Sequence, residues 1–127
     1  MKRKIYSQLL DWKQNSQGKT ALLIEGARRI GKSYTVNQFA KNEYQTAIII
    51  DFNNVKQEVK DLFFTHLTNL DSFFAMLALH YNIPLTPRKS LIVFDEVQQF
   101  PTARAAIKYL VADGRYDYIE TGSLISI

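Results

Sequence analysis

The eight residues from position 26 to position 33 constrain the fold of this chain more than any other segment. They place glycine first and sixth and end in lysine and serine, in the order Gly26-Ala27-Arg28-Arg29-Ile30-Gly31-Lys32-Ser33. The stretch 20–25 before them is mostly apolar, which is typical of a buried strand, and Val36, Phe39 and Ala40 behind them share one helical face. The segment therefore predicts a strand, a tight turn and a helix in direct succession.

The spacing of the two glycines has a physical cause. A loop that turns several backbone N–H groups inward needs residues that tolerate unusual φ and ψ angles, and the helix that follows aims its positive end at the same place. Such a nest fits phosphate oxygens, Lys32 can reach the β- and γ-phosphates, and the Ser33 hydroxyl suits Mg²⁺. We predict that a nucleotide polyphosphate binds residues 26–34, namely Gly26, Ala27, Arg28, Arg29, Ile30, Gly31, Lys32, Ser33 and Tyr34.

An acidic pair follows the apolar stretch 91–94. Unpaired carboxylates are costly in an apolar interior, so we expect Asp95 and Glu96 at the open end of that strand. There Asp95 can hold Mg²⁺ through water, and Glu96 can act as the base for an attacking water molecule. The alternative interpretation is a pair of loop acids that caps the helix after Pro101.

Polar residues also follow the stretch 116–120, which reads as the last strand. Thr121 and Ser123 should lie beside the acidic strand end, where a hydroxyl can contact the γ-phosphate or the attacking water. The alternative is an ordinary turn that uses Gly122.

The rest of the chain alternates strand and helix patterns. Strands are predicted over 20–25, 47–52, 91–94 and 116–120, and helices over 6–13, from 32 to about 42, around 55–63, from a cap at Asp71 or Ser72 to before Pro84, and from Pro101 to Asp113-Gly114. This order predicts a three-layer α/β domain with a parallel sheet and right-handed crossovers. Its 127 residues suit a single domain, with residues 1–18 as a lead-in helix and loop.

Composition limits where this chain works and what it binds. It has no cysteine, its longest apolar run is 73–79, and charged residues interrupt the segment behind its basic start, so we expect a cytoplasmic protein without a membrane span. The net charge of +4 and the start Lys2-Arg3-Lys4, which we interpret as a mobile terminus, give only weak support for DNA contact. His66 and His80 have no partners at ligand spacing, and Trp12 should pack the first helix onto the domain.

Taken together, these motifs resemble prokaryotic AAA+-type P-loop ATPases of the "AAA domain, DUF4143" group. The phosphate loop, the strand ending in Asp95-Glu96 and the later Thr121-Gly122-Ser123 carry the resemblance, and so do Arg3 and the lead-in residues 9–12 and 21–26. It implies an ATPase in which Lys32 and Ser33 serve the phosphates and Mg²⁺, Asp95 serves Mg²⁺, and Glu96 is the catalytic base. Ser123, with Thr121 as the alternative, would be the sensor of the γ-phosphate.

Two features depart from that family pattern. Glu120 occupies a strand position that is usually apolar, which is expected to perturb the strand. The sequence also ends at Ile127 after four predicted strands, whereas the family implies the strand order 5-1-4-3-2, an arginine finger, a helical lid and a carboxy-terminal domain. We therefore expect either a fragment or a degenerate member that binds ATP with Mg²⁺ and hydrolyses it slowly. Self-association through an uncovered sheet edge is a further expectation.

Three rival functions differ in their sequence requirements. A GTPase is disfavoured because the residues after Asp95 lack the glycine of an Asp-x-x-Gly motif and no Asn-Lys-x-Asp motif occurs. A small-molecule P-loop kinase would need lid arginines, for which Arg104 and Arg115 are weak candidates. A nucleotide-dependent switch or assembly module without efficient turnover is the non-enzyme alternative.

Overall fold

A computed structural model describes residues 2–26 and 32–123, with side chains from residue 4 in the first segment and from residue 33 in the second. Helices and strands alternate through most of this part of the chain. The elements are α1 (Lys2–Ser16), β1 (Leu22–Glu25), α2 (Lys32–Glu43), β2 (Thr46–Asp51), α3 (Gln57–Thr65), α4 (Leu70–Tyr81), β3 (Ser90–Asp95), a 3₁₀ turn (Val97–Gln99), α5 (Pro101–Asp113) and β4 (Asp117–Gly122).

The described strands form one parallel sheet in the order β1-β4-β3-β2. The predicted α/β class is therefore confirmed, and the order 1-4-3-2 agrees with the first four strands that the family resemblance implies. In the register, Phe94 of β3 lies opposite Glu120 of β4, and Glu25 of β1 lies opposite Gly122. Because all the strands run in the same direction, their carboxyl ends meet at one edge of the sheet.

Two apolar cores cover the two faces of the sheet and make three layers. On one face α3, α4 and α5 enclose a core with an aromatic centre in which Phe63 contacts Phe52, Phe73, Phe94 and Phe100. On the other face α1 and α2 bury Leu9, Val36 and Phe39 against Leu91, Val93 and Ile119 of the sheet. Burial on both faces explains why the strand segments read as nearly continuous apolar runs.

Helix α1 is longer than the predicted span 6–13 and begins at Lys2, so the first basic residues belong to the helix. Leu9 is buried under this helix, and the Tyr6 hydroxyl donates a hydrogen bond of 2.9 Å to Glu43 at the end of α2. Trp12 packs against the same core, as predicted, and its indole N–H donates to the carbonyl of Thr20 at 3.1 Å. Packing on the domain therefore stabilises α1.

The predicted start of α4 is also wrong. Asn69, rather than Asp71 or Ser72, precedes the helix, and its side-chain oxygen accepts a hydrogen bond of 3.3 Å from the backbone N–H of Ser72. Ser72 occupies the third helical position, whose N–H has no partner inside the helix. At α5 the predicted ends are confirmed, with Pro101 in the first turn and Gly114 at the carboxyl end with a φ of +83°.

Strand β4 extends to Gly122, two residues past its predicted end, because Thr121 and Gly122 pair with Ile24 and Glu25 of β1. The strand stays regular at Glu120, so the expected perturbation there is not found. Across 2–26 and 32–123, none of the helices combines the length and the apolar character that crossing a bilayer requires.

Candidate functional site

Polar side chains gather where β3 and β4 end, at the carboxyl edge of the sheet. The register that sets Phe94 opposite Glu120 brings the next residues, Asp95 and Thr121, side by side. The Thr121 hydroxyl donates a hydrogen bond of 2.5 Å to Asp95 Oδ1 and accepts one of 3.1 Å from the backbone N–H of Glu96. This hydroxyl is buried and joins the two strand ends.

Glu96 leaves the strand in an unusual backbone conformation. Its φ of 56° and ψ of 50° lie in the left-handed region, which residues other than glycine adopt rarely and at a cost of about 1 kcal/mol or more. Consecutive residues of a regular strand point to opposite faces. Yet Asp95 contacts Thr121 near the end of β4, and Glu96 contacts Ser123 directly after it. The left-handed turn therefore allows the two carboxylates to serve the same site.

The Glu96 side chain is only 4% exposed, and each of its carboxylate oxygens accepts a hydrogen bond. Ser123 Oγ donates to Oε2 at 2.9 Å, and Gln98 Nε2 donates to Oε1 at 2.8 Å. These donors supply the stabilisation that a buried carboxylate requires. The predicted placement of Thr121 and Ser123 beside the acidic strand end is confirmed.

Strand β1 ends at the same edge of the sheet, directly before the glycine-rich segment. The Gly26 N–H donates to the carbonyl of Gly122 at 3.2 Å, one residue before Ser123. The φ of Gly26 is +153°, in a region that favours glycine. Ala27, Arg28, Arg29, Ile30 and Gly31 lie outside the described residues, so their predicted phosphate contacts stay predictions.

Helix α2 begins at Lys32, as the sequence predicts for the helix after a phosphate loop. The Lys32 side chain lies outside the described part of the structure, whereas Ser33 and Tyr34 occupy the first turn with exposed side chains. Gly26 and Lys32 thus bracket residues 27–31 between the end of β1 and the amino end of a helix. This is the framework in which a phosphate loop works.

The alternative interpretation of the acidic pair is wrong. Phe100 precedes α5, and no side chain caps that helix, so neither Asp95 nor Glu96 serves as its cap. Pro101, in the first turn, has no backbone N–H, which leaves one fewer free donor at this end of the helix.

The two arginines considered for a kinase lid have structural partners. Arg115 lies just before β4, at the amino edge of the sheet, and bonds to Asp71 and Asp113. Arg104 Nε is 3.9 Å from Glu120 Oε1 on the α5 face of the sheet. Arg115 therefore lies at the edge opposite the acidic strand ends.

Gln98 is the residue of this site that the sequence analysis missed. Its amide binds Glu96 from two positions further along the chain, and it is partly buried in the 3₁₀ turn. The only sequence signal was a glutamine two positions after Glu96 in a polar stretch, and that pattern alone does not report a contact.

The oxygen donors at this edge fit Mg²⁺ with a polyphosphate. Asp95 is partly exposed, and within the described residues its Oδ2 accepts no hydrogen bond, so this oxygen can face a hydrated cation. No group of three or more His, Cys, Asp or Glu side chains suited to a metal occurs in segments 2–26 and 32–123.

Comparison with protein families gives one match that spans most of the chain. The family model AAA_14, described as an AAA domain, matches residues 18–127. No curated protein and no solved structure matched the sequence.

Proposed function

Because this chain belongs to the AAA domain family AAA_14, whose members are nucleotide-binding P-loop ATPases, we propose that it binds ATP with Mg²⁺ and hydrolyses it to ADP and phosphate. The hydrogen-bonded pair of Glu96 and Ser123, next to the point where β1 enters the glycine-rich segment, supports this proposal most directly. A candidate base, a candidate sensor and the first residue of a candidate phosphate loop therefore lie at one edge of the sheet.

The proposed phosphate-binding part consists of residues 26–34. Backbone N–H groups of the loop and the amino end of α2 would attract the anionic phosphates, and Lys32 would contact the β- and γ-phosphates. The Ser33 hydroxyl and Asp95 are the proposed Mg²⁺ ligands, and the ion supplies neutralisation of phosphate charge when it is bound. The pair of basic residues Arg28 and Arg29 would add positive charge near the triphosphate.

The proposed base is Glu96. Its carboxylate accepts a proton from the water molecule whose oxygen bonds to the γ-phosphorus, while the bond between that phosphorus and the β–γ bridging oxygen breaks and ADP leaves. Thr121 holds Asp95 and the backbone of Glu96 in place, and Ser123 is the proposed sensor because its hydroxyl contacts Glu96 at the edge where the γ-phosphate would lie.

The same residues support a narrower assignment. We propose that the chain is a member of the DUF4143 group of AAA proteins, because the loop carries Arg28-Arg29 and Thr121-Gly122-Ser123 stands at the end of the last described strand. Among the described strands β1 pairs only with β4, so its other edge is the proposed position for a further strand or for association with a second copy.

Single-turnover decay of bound ATP in the presence of Mg²⁺ tests the proposed hydrolysis. Glu96→Gln should slow phosphate release by about 100-fold or more while ATP still binds, because the amide cannot accept the proton. Glu58→Gln is the matched control, since Glu58 is an exposed acid on α3 outside the site, and it should leave the rate unchanged. Equal decay in wild type and Glu96→Gln would overturn the hydrolase assignment and favour a nucleotide-dependent switch.

A small-molecule kinase is distinguished by the fate of the γ-phosphate. With purified protein alone, a hydrolase releases inorganic phosphate in an amount equal to the ADP formed. Stimulation of ADP formation by an added phosphoryl acceptor, with no free phosphate, would instead identify transfer to that acceptor.

A further inference from the structure

We propose that Gln98 is a positioning residue for Glu96, and that Gly122 is glycine so that the amide of Gln98 can occupy this position. This inference rests on the proposed function, in which Glu96 is the base. It adds a pair of residues, Gln98 and Gly122, that act on the reaction through Glu96 and need not contact the nucleotide.

The hydrogen bond between Gln98 and Glu96 is short, and backbone hydrogen bonds hold the turn that carries Gln98. Gln98 Nε2 donates to Glu96 Oε1 at 2.8 Å. In the 3₁₀ turn that contains Gln98, the N–H of Gln99 donates to the carbonyl of Glu96. The N–H of Phe100 donates to the carbonyl of Val97, and both distances are 3.0 Å. Val97 is 1% exposed and belongs to the core, so the turn that carries Gln98 is fixed to the domain.

Gly122 provides the space for the amide. A Cβ atom at position 122 would lie 2.9 Å from Gln98 Oε1 and 3.8 Å from its Cδ, and the first distance is shorter than real Cβ contacts allow. The φ of Gly122 is not in the left-handed region, so alanine is compatible with the backbone there. Since the atom in conflict is the end of a flexible side chain, alanine at position 122 should displace the Gln98 amide and leave the strand intact.

The Gln98 amide acts on the Glu96 carboxylate together with Ser123. Ser123 Oγ donates to Oε2 and Gln98 Nε2 donates to Oε1, so the two donors come from different elements and bind different oxygens. Donors on both oxygens restrict rotation of the carboxylate plane more than a donor on one oxygen does. Each carboxylate oxygen also offers two acceptor sites, so a donor on it does not by itself exclude a hydrogen bond from water.

Single-turnover cleavage of bound ATP with Mg²⁺, measured together with ATP affinity, tests this role. Gln98→Ala and Gly122→Ala should each slow cleavage by about 10- to 100-fold, the range expected for a misplaced catalytic group. ATP affinity should change by less than about twofold, because neither residue belongs to the proposed phosphate site, so the loss falls on the cleavage step. Gln99→Ala is the matched control: Gln99 lies in the same turn with its side chain exposed, so this variant should match wild type in rate and in ATP affinity.

The double variant shows whether Gln98→Ala and Gly122→Ala slow cleavage through the same contact or through two unrelated effects. If Gly122→Ala acts by displacing the Gln98 amide, Gln98→Ala combined with Gly122→Ala should be no slower than the slower single variant. Losses that multiply in the double variant would overturn the proposed link between the two positions. A Gln98→Ala protein that cleaves bound ATP at the wild-type rate or faster would overturn the positioning role itself. Glu96→Gln is measured in the same experiment. If Glu96→Gln also cleaves ATP at the wild-type rate, the proposed hydrolase function has failed. If Glu96→Gln is slow and Gln98→Ala is not, only the positioning role of Gln98 has failed.

Discussion

The Thr121 hydroxyl donates a hydrogen bond of 2.5 Å to Asp95 Oδ1, which joins the last residue of β3 to the neighbouring strand β4. The same oxygen accepts the backbone N–H of Glu96 at 3.1 Å. One buried hydroxyl therefore orients the proposed magnesium ligand and satisfies the backbone of the proposed base. Its position follows from the parallel register, which sets residue 120 opposite residue 94.

Thr121→Val should destabilise the domain and slow ATP hydrolysis. Valine has nearly the same shape but lacks the oxygen that accepts from the Glu96 N–H and donates to Asp95, and the loss of a buried hydrogen-bond partner costs about 1–3 kcal/mol. Urea unfolding gives the free energy, and single-turnover cleavage gives the rate. Thr121→Ser retains the hydroxyl and serves as the control, with most of the stability and rate preserved; equal stability of the valine variant and wild type would contradict this role.

Glu120 provides a pH test of stability. Its side chain is 13% exposed, its Oε1 accepts no hydrogen bond within the described residues, and burial raises its pKa, partly opposed by Arg104. A carboxyl group with a raised pKa in the folded state contributes stability while it is protonated, and this contribution is lost as the pH rises through the folded pKa.

Glu120→Gln should therefore stabilise the protein more at pH 7 than at pH 4, by about 1 kcal/mol at the higher pH, because glutamine stays neutral. Urea unfolding of both proteins at a series of pH values measures the difference. Glu58→Gln, on an exposed part of α3, is the control for the loss of a carboxyl charge. A stability difference between Glu120→Gln and wild type that is constant with pH would contradict a raised pKa of Glu120 in the folded state.

Tyr44 and Asp117 form a second buried pair, at the amino edge of the sheet. The Tyr44 hydroxyl donates to Asp117 Oδ2 at 2.5 Å, Arg88 donates to Oδ1 at 2.6 Å, and burial raises the pKa of Tyr44 so that it keeps its proton. Tyr44→Phe should cost about 1 kcal/mol of stability without slowing ATP cleavage, because the catalytic candidates lie at the opposite edge. Tyr109→Phe, on an exposed ring, is the control, and a cleavage defect in Tyr44→Phe would contradict this separation of roles.

The parallel sheet and the acidic strand end could be predicted because they depend on apolar runs and on motif spacing. The run 91–94 ends in Asp95, and parallel topology then brings Thr121 and Ser123 to the same edge. The position of Gln98 could not be predicted, because it depends on the left-handed conformation of Glu96 and on the space at Gly122. Neither feature leaves a periodic signal.

Element ends were less predictable for a related reason. The first turn of α1 is polar, and α1 is fixed by contacts with distant residues, such as the bond from Tyr6 to Glu43, that hydrophobic periodicity does not report. The cap of α4 was assigned to Asp71 or Ser72 because several capping residue types occur in succession, and only the backbone geometry selects Asn69.

Calorimetric titration of the folded protein with Mg²⁺ and ATP tests the central claim, that residues 26–33 bind a polyphosphate, most directly. Wild type should bind with saturable heat, and Lys32→Ala should lose most of the affinity because it removes the charge proposed to contact the β- and γ-phosphates. Lys41→Ala removes an exposed lysine from the last turn of the same helix and should bind like wild type. Wild-type protein that gives no heat, or Lys32→Ala that binds as tightly as Lys41→Ala, would contradict the claim.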